Sequence, residues 1–356
     1  MKTRKRQPTL LLATLLILIG LACNAATNLG NPPTPTAPPP TSTPLPPSPT
    51  AIPPTPTFTS TPIVNCAEVF SNVLASVIPD RKAAAELRGR PDGEEKNDFY
   101  PLAVYRVSGE KIIWSSSEPV PNELVKFQEQ KDVHQKIWDI YVNLIPSDQR
   151  SMLGEFVIVT DGEDKLLAAV RQSDENLYSW VLEVDIADIA NSRELTYTLI
   201  HEFAHLLTLN SKQVTPSRAV FDNPGDQQVY SHESLRCEQY FSNEGCSQPD
   251  SYLNSFYEEF WADIYDEWKE IRKSRNDEKY YENLNDFYHK YQDRFVTDYA
   301  VVNPVEDIAE SFSFFIFSPK PAGDTIAEKK TLFFYDFSEL VKLRSEIQNR
   351  TCSLNP

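Results

Sequence analysis

The sequence predicts an α+β domain in which a small, mostly antiparallel sheet precedes a buried helix and a mainly helical C-terminal subdomain. Two observations support this prediction. Short apolar runs with strand-like composition cluster between residues 156 and 184, and an apolar pattern with helical spacing follows them up to residue 209. Further helices are predicted at residues 119–145, around 251–273 and at 332–348.

The first 22 residues have the composition of a secretory signal. Basic residues within positions 2–6 precede an apolar run at about 10–21, which is too short to span a bilayer comfortably. The run ends in Ile-Gly-Leu-Ala-Cys, which resembles a bacterial lipobox, so Cys23 is the predicted lipidation site. A plain signal peptide cleaved near Ala25 is the alternative. In both cases the protein is expected outside the cytoplasm, either lipid-anchored to the membrane or secreted.

Residues 23–63 are predicted to be a disordered linker, and residues 64–356 the folded domain. The linker holds half of the 28 prolines, and such a stretch cannot bury a core. The formal charge of −17 becomes −21 when the four basic residues of the signal are removed. So acidic a domain is not expected to bind nucleic acid.

Four cysteines remain when Cys23 is assigned to a lipid. An even number in an exported domain predicts two disulfides, although four cysteines allow three pairings. We favour Cys237–Cys246, which closes a short loop, and Cys66–Cys352, which joins the two ends of the domain. The spacing of these cysteines is not that of a cysteine zinc site.

Three strand candidates precede the buried helix. Residues 156–159 and 166–170 flank Asp161-Gly162, a dipeptide typical of tight turns, so these two runs are predicted to pair as a hairpin. Residues 178–184 are the third candidate, because this run is rich in aromatic and β-branched residues. A long insertion is predicted after the buried helix, at about residues 210–294.

The buried helix carries an H-E-x-x-H motif at residues 201–205. Asn191 and Glu194 form the pattern of an N-terminal capping box, and apolar residues then recur at helical spacing. Because positions four apart lie on one helical face, His201 and His205 can bind the same metal ion. Glu202 lies beside them, as the general base does in zinc peptidases. The alternative is a core helix whose histidines form hydrogen bonds with their neighbours.

A catalytic zinc ion needs a third protein ligand. Metzincins continue the motif with a glycine and a third histidine, but those positions are Thr208 and Ser211 here, so that class is excluded. The remaining histidines have no motif around them and are expected at the surface or in packing contacts: His134, His232 and His289.

Glu306 is the best candidate for the third ligand. Glu310 lies four residues later on the same helical face, where it can accept a hydrogen bond from a metal-bound histidine. Asn303 and Pro304 precede Glu306 in the pattern of a helix capping box, and capping is the alternative role of Glu306. A capping box would not require Glu310, nor Tyr299, which lies seven residues before Glu306. Glu259 and Asp263 have a similar ligand-like spacing and are the fallback.

Together, H-E-F-x-H and Y-x6-E-x3-E-x-F resemble the catalytic domains of anthrax lethal factor and the clostridial Pro-Pro endopeptidases, which are gluzincins of the zincin fold. The resemblance covers the strands before the motif helix, both motifs and the C-terminal helix, but neither the insertion nor residues 64–115. It implies one catalytic Zn²⁺, held by His201, His205 and Glu306, with Glu202 as base, Tyr299 stabilising the transition state and Glu310 supporting a ligand.

The resulting expectation is an exported, membrane-tethered zinc endopeptidase. Its expected partners are a peptide or protein substrate and, through the lipid anchor, a membrane. In the zincin fold an edge strand lines the cleft, where an extended peptide can add as a further strand. A catalytically inactive, zinc-stabilised surface-binding lipoprotein is the alternative, and an adhesin with an accidental motif is another.

Overall fold

The computed structural model describes residues 64–84, 100–161, 167–187, 189–274, 277–354 and 356. The predicted signal, the lipidation site Cys23 and the linker lie outside these residues, as does Gly162 of the predicted turn. All described residues belong to one compact unit, Ser60–Pro356.

Helices dominate the described chain. The α-helices are α1 (Cys66–Ala84), α2 (Val125–Gln128), α3 (Lys131–Leu144), α4 (Ser192–Leu209), α5 (Arg218–Asp222), α6 (Gln227–Ser234), α7 (Tyr252–Phe260), α8 (Tyr265–Arg272), α9 (Asp277–Lys290), α10 (Pro304–Phe317), α11 (Ile326–Phe333) and α12 (Ser338–Leu354). The strands are β1 (Tyr100–Ser108), β2 (Lys111–Ser116), β3 (Leu153–Thr160), β4 (Ala168–Ser173), β5 (Asn176–Asp185), β6 (Val214–Pro216) and β7 (Gly245–Ser247). Short 3₁₀ turns lie at Ser147–Gln149, Gln292–Arg294, Tyr299–Val302 and Phe334–Asp336.

The main sheet has five strands in the order β2-β1-β3-β5-β4. Strands β3 and β5 are parallel, and the other three neighbouring pairs are antiparallel. The predicted α+β class is therefore confirmed, and the small sheet is mixed, with three antiparallel pairs and one parallel pair. A separate two-stranded ribbon, β6-β7, lies within the predicted insertion.

The predicted hairpin between the runs at 156–159 and 166–170 is wrong, because β5 lies between β3 and β4. Strand β4 pairs instead with β5, through a turn at residues 174–175. Burial explains why β5 lies inside the sheet and β4 at its edge. Strand β5 is continuously buried from Trp180 to Asp185, which suits a central strand. Strand β4 is only partly buried along most of its length and forms the edge.

Several helix boundaries differ from the predictions. The run at 119–145 is divided into α2 and α3, because the Gln128 amide donates hydrogen bonds to the Leu102 and Glu118 carbonyls and fixes the end of α2 beside β1. The run at 251–273 is divided into α7 and α8 around the fully buried Trp261. The C-terminal helix begins at Ser338, six residues later than predicted, and continues to Leu354.

The elements before residue 119 were not predicted. They are helix α1 and the antiparallel pair β1-β2. Strand β2 is the outer edge of the sheet and is mostly exposed, so it lacks the apolar alternation that marks a half-buried strand. Helix α1 packs on α4, α10 and α12, and thus covers the back of the motif helix.

Two disulfides join the predicted cysteine pairs. Cys66–Cys352 connects α1 to α12, and Cys237–Cys246 closes a loop of the insertion. Disulfides persist in oxidising compartments, which agrees with the expected location outside the cytoplasm. Among the described residues, no helix combines the length and apolar character needed to cross a membrane.

Candidate metal centre

Helix α4 positions the H-E-x-x-H side chains in the protein interior. As predicted, the Asn191 side chain caps the helix by accepting hydrogen bonds from the backbone N–H groups of Arg193 and Glu194. His201, Glu202 and His205 are each less than 8% exposed. Burial of two imidazoles and a carboxylate is costly unless they have polar or metal partners.

Helix α10 brings Glu306 to the same place. Asn303 caps this helix by accepting from the N–H groups of Val305 and Glu306, and Pro304 occupies the first helical position. The capping interpretation is therefore right for Asn303. The Oε2 atom of Glu306 nevertheless lies against the two histidines of α4.

Three potential ligand atoms converge. Nε2 of His201 lies 3.0 Å from Nε2 of His205 and 3.1 Å from Oε2 of Glu306, and the remaining separation is 3.4 Å. A tetrahedral zinc ion about 2.0–2.2 Å from each ligand sets its ligand atoms about 3.3 Å apart. The carboxylate of Glu202 is within 4.8 Å of both imidazoles. The shorter contacts of Glu306 favour it over Glu202 as the candidate third ligand.

The chemistry of these atoms also fits a cation. A neutral imidazole has a single N–H, and an ionised carboxylate has none. Three such acceptors in mutual contact repel one another unless a proton or a metal ion lies between them. The set of two imidazoles and one carboxylate is a usual ligand set for zinc.

The pKa values reflect the same concentration of negative charge. Burial alone would lower the pKa of His201, but hydrogen bonds to Glu306 and Glu310 outweigh it and raise the pKa to about 10. Burial would raise the pKa of Glu306, yet His205 and His201 hold it far below its usual range. The pocket thus stabilises positive charge at the centre of the triangle.

Glu310 lies behind His201 and is fully buried. Its Oε1 is 2.8 Å from Nδ1 of His201. Its Oε2 accepts hydrogen bonds from Thr297 at 2.7 Å and from Tyr197 at 3.2 Å. Neither hydroxyl residue was a sequence candidate. Tyr197 lies four residues before His201 on the same helical face, and this spacing could have identified it.

Tyr299 and Val170 complete the surroundings of the motif. The ring centroid of Tyr299, at the start of a 3₁₀ turn, is 5.9 Å from that of His201. The backbone N–H of Val170, on edge strand β4, donates a hydrogen bond to Glu202. Burial raises the pKa of Glu202, which makes its carboxylate a stronger base than one in water.

A cleft of about 990 Å³ opens beside these residues. Val170, His205 and Glu306 line it on the side of the metal centre. The other lining residues come largely from the insertion, including every residue from Gln239 to Glu244 in the loop closed by Cys237–Cys246.

The fallback ligands do not join the site. Asp263 forms a two-point ion pair with Arg294, at 2.7 and 2.8 Å, and Glu259 is exposed. The other histidines lie as expected. His134 is buried against Tyr105 and the Phe127 carbonyl, and His232 and His289 are at the surface.

Comparisons with known proteins add little. No protein-family model and no curated protein matches the chain. Among solved structures, a protein from Bacteroides caccae inferred to be a zinc-binding metallo-peptidase aligns with a TM-score of 0.31 and 14% identity. The alignment covers 81% of this chain and 93% of that chain. At this TM-score the likeness carries no functional argument.

Proposed function

We propose that the protein is a zinc-dependent endopeptidase in which His201, His205 and Glu306 hold one Zn²⁺. The observation that carries this proposal is the triangle of two imidazole nitrogens and one carboxylate oxygen, with sides of 3.0, 3.1 and 3.4 Å. His205 and Glu306 line the cleft, so water or substrate could reach a zinc ion held there, whereas structural zinc sites usually have four protein ligands.

Glu202 is the general base in this proposal. When bound, the zinc ion would acidify a water molecule and polarise the carbonyl group of the substrate. Glu202 accepts the proton of the attacking water and later donates it to the leaving nitrogen, so the peptide bond is broken without a net change at the carboxylate. The raised pKa of Glu202 and its hydrogen bond from Val170 suit this exchange.

Tyr299 and Glu310 have supporting roles. The Tyr299 hydroxyl would donate a hydrogen bond to the oxyanion that forms on the substrate carbonyl. Glu310 would hold the Nδ1–H of His201, so that Nε2 carries the lone pair that binds the metal. Thr297 and Tyr197 fix Glu310 in turn through their hydrogen bonds to its Oε2.

The substrate would bind in extended form along strand β4. This strand is the edge of the sheet nearest to α4, and its Val170 lines the cleft. An edge strand offers backbone donors and acceptors to an added strand, which suits peptides of varied sequence.

We also propose that the enzyme is exported and anchored through a lipid on Cys23. The disulfides support an oxidising location, and the lipobox-like sequence supports the anchor. Metabolic labelling with a fatty acid is expected to modify wild type but not Cys23→Ser. Labelling of both proteins to the same extent would refute the anchor.

The Glu202→Gln variant tests the catalytic proposal. Its zinc content is expected to stay near one ion per chain, because Glu202 is not a ligand. Hydrolysis of a quenched peptide library is expected to fall by about 100-fold or more, the usual effect of losing a general base. Full activity in this variant would refute the mechanism. Zinc-loaded wild type that cleaves no peptide would favour the inactive binding lipoprotein.

A further inference from the structure

One face of helix α8 forms a basic wall of the cleft. The residues of α8 and its C-cap that line the cleft recur at helical spacing, and they are Tyr265, Trp268, Lys269, Arg272 and Lys273. The acidic residues of the same helix, Asp266, Glu267 and Glu270, do not line it. The whole chain has 51 acidic and 34 basic residues, so a cationic wall departs from its general charge.

Arg272 differs from the two lysines of this wall. Lys269 forms an ion pair with Asp266 at 2.7 Å, and Lys273 forms one with Glu270. Arg272 forms no ion pair with any carboxylate whose side chain the structure describes. Its guanidinium lies instead over the ring of Trp268, 5.5 Å from the centroid. Stacking restricts the side chain while its N–H groups stay available to a ligand.

Trp268 contacts both Arg272 and the segment that precedes Glu306. The indole N–H of Trp268 donates to the Val301 carbonyl at 3.1 Å. Val301 belongs to the 3₁₀ turn that begins at Tyr299, and helix α10 with Glu306 follows directly. The stacking platform of Arg272 is therefore attached to the segment that carries two residues of the proposed catalytic site.

We propose that Arg272 forms a carboxylate-binding subsite, so that the enzyme prefers peptides with an acidic group at one position near the scissile bond. The planar guanidinium matches a carboxylate through two parallel hydrogen bonds, a geometry that a lysine cannot provide. This inference rests on the proposed peptidase function. The carboxylate is supplied by an Asp or Glu side chain or by a peptide C-terminus, and both sources have the same chemistry.

The test measures cleavage and binding separately. A set of neutral peptides, blocked at both ends, carries a single Glu or Gln at each position in turn. Cleavage of these peptides is measured with wild type. Binding is measured by fluorescence anisotropy in the Glu202→Gln background, where no hydrolysis interferes. Versions with a free C-terminus distinguish a terminal carboxylate from a side-chain carboxylate.

At one position, the Glu peptide is expected to be cleaved and bound about fivefold better than the Gln peptide, the scale of an accessible ion pair. Arg272→Glu is expected to abolish or reverse this preference, because cleavage of the Glu peptide falls by more than cleavage of the Gln peptide. Arg272→Lys should retain only part of it, because the fork geometry is lost. Added salt should reduce the preference.

Lys342→Glu is the matched control. It makes the same change in net charge at an exposed position of helix α12, and Lys342 does not line the cleft. The control should keep the full Glu preference. Zinc content and melting temperature should be the same in all variants.

The outcomes separate the two proposals. Equal cleavage and binding of Glu and Gln peptides at every position would overturn the subsite and leave the peptidase function standing. An equal loss with both peptides in Arg272→Glu would also overturn it, because that result indicates a structural role. Binding of Glu peptides without any cleavage by wild type would refute the peptidase function and support the subsite.

Discussion

The candidate metal centre and the predicted insertion differ in how their structures arise. The candidate metal centre lies between two capped helices, α4 and α10, and each helix carries a pair of site residues four positions apart along the chain. The predicted insertion at about 210–294 combines helices α5 to α9 with the ribbon β6-β7, and cleft-facing residues from these different elements meet only after folding. In the proposed enzyme the first region performs the chemistry and the second selects the substrate. Changes in the two regions should therefore have different consequences.

The largest effect is expected from Glu306→Gln. It removes the only carboxylate in the ligand triangle, so zinc content and hydrolysis should both fall to background. Glu259→Gln is the matched control, because it changes the other candidate ligand by the same chemistry. Atomic absorption and the peptide library provide the two readouts. Loss of zinc in Glu259→Gln but not in Glu306→Gln would reverse the assignment.

The two disulfides offer a comparison of stability. Cys66–Cys352 spans 286 residues and joins helices that flank the metal centre, whereas Cys237–Cys246 spans 9 and shapes the cleft wall. In a chain-entropy model their removal by paired Cys→Ser changes costs about 5.6 and about 2.7 kcal/mol, respectively. Chemical denaturation should show this order.

The disulfide variant of the cleft wall should be impaired in substrate binding and not in zinc binding. Loss of Cys237–Cys246 should raise KM, because residues 239–244 line the cleft, and it should leave zinc content unchanged. Equal zinc loss in both variants would show that the insertion is part of the metal centre rather than a separate wall.

A smaller effect is expected from Glu310→Gln. The amide occupies the same volume but binds the His201 ring less strongly, so zinc affinity should fall about 10- to 100-fold. Competition with a chelator measures this change. Glu328→Gln, on helix α11, is a suitable control because Glu328 lies outside the site. An unchanged affinity would mean that Glu310 does not orient His201.

The smallest expected effect is the contribution of His134, a histidine outside the motif, to the pH dependence of the free energy of unfolding. Burial lowers the pKa of His134, against a raising contribution from the Phe127 carbonyl. Because the folded-state pKa lies below the unfolded value, the unfolded chain binds the proton first. Stability is thus retained above about pH 6.5 and lost as the pH falls below it, with a slope of at most about 1.4 kcal/mol per pH unit. His134→Gln should remove this part of the pH dependence of unfolding. An unchanged profile would contradict it.

The sequence predicted the helices and the side chains that converge between them better than the surrounding strands and loops, for a physical reason. Helix caps and positions four apart are local properties, so the cap at Asn191 and the side chains of His201, His205 and Glu306 could be singled out from short windows. The position of β5 between β3 and β4 depends on burial across the whole sheet, so a turn-like Asp-Gly dipeptide was misleading. The attachment of Trp268 to Val301 joins residues 33 apart, and no local pattern signals it.

The most direct test of the central claim is a crystal structure of the zinc-loaded protein with anomalous data collected at the zinc edge. We predict one strong anomalous peak about 2.0–2.2 Å from Nε2 of His201, Nε2 of His205 and a carboxylate oxygen of Glu306, with a fourth position facing the cleft. A peak held by Glu202 in place of Glu306, or no peak within the triangle, would contradict the account.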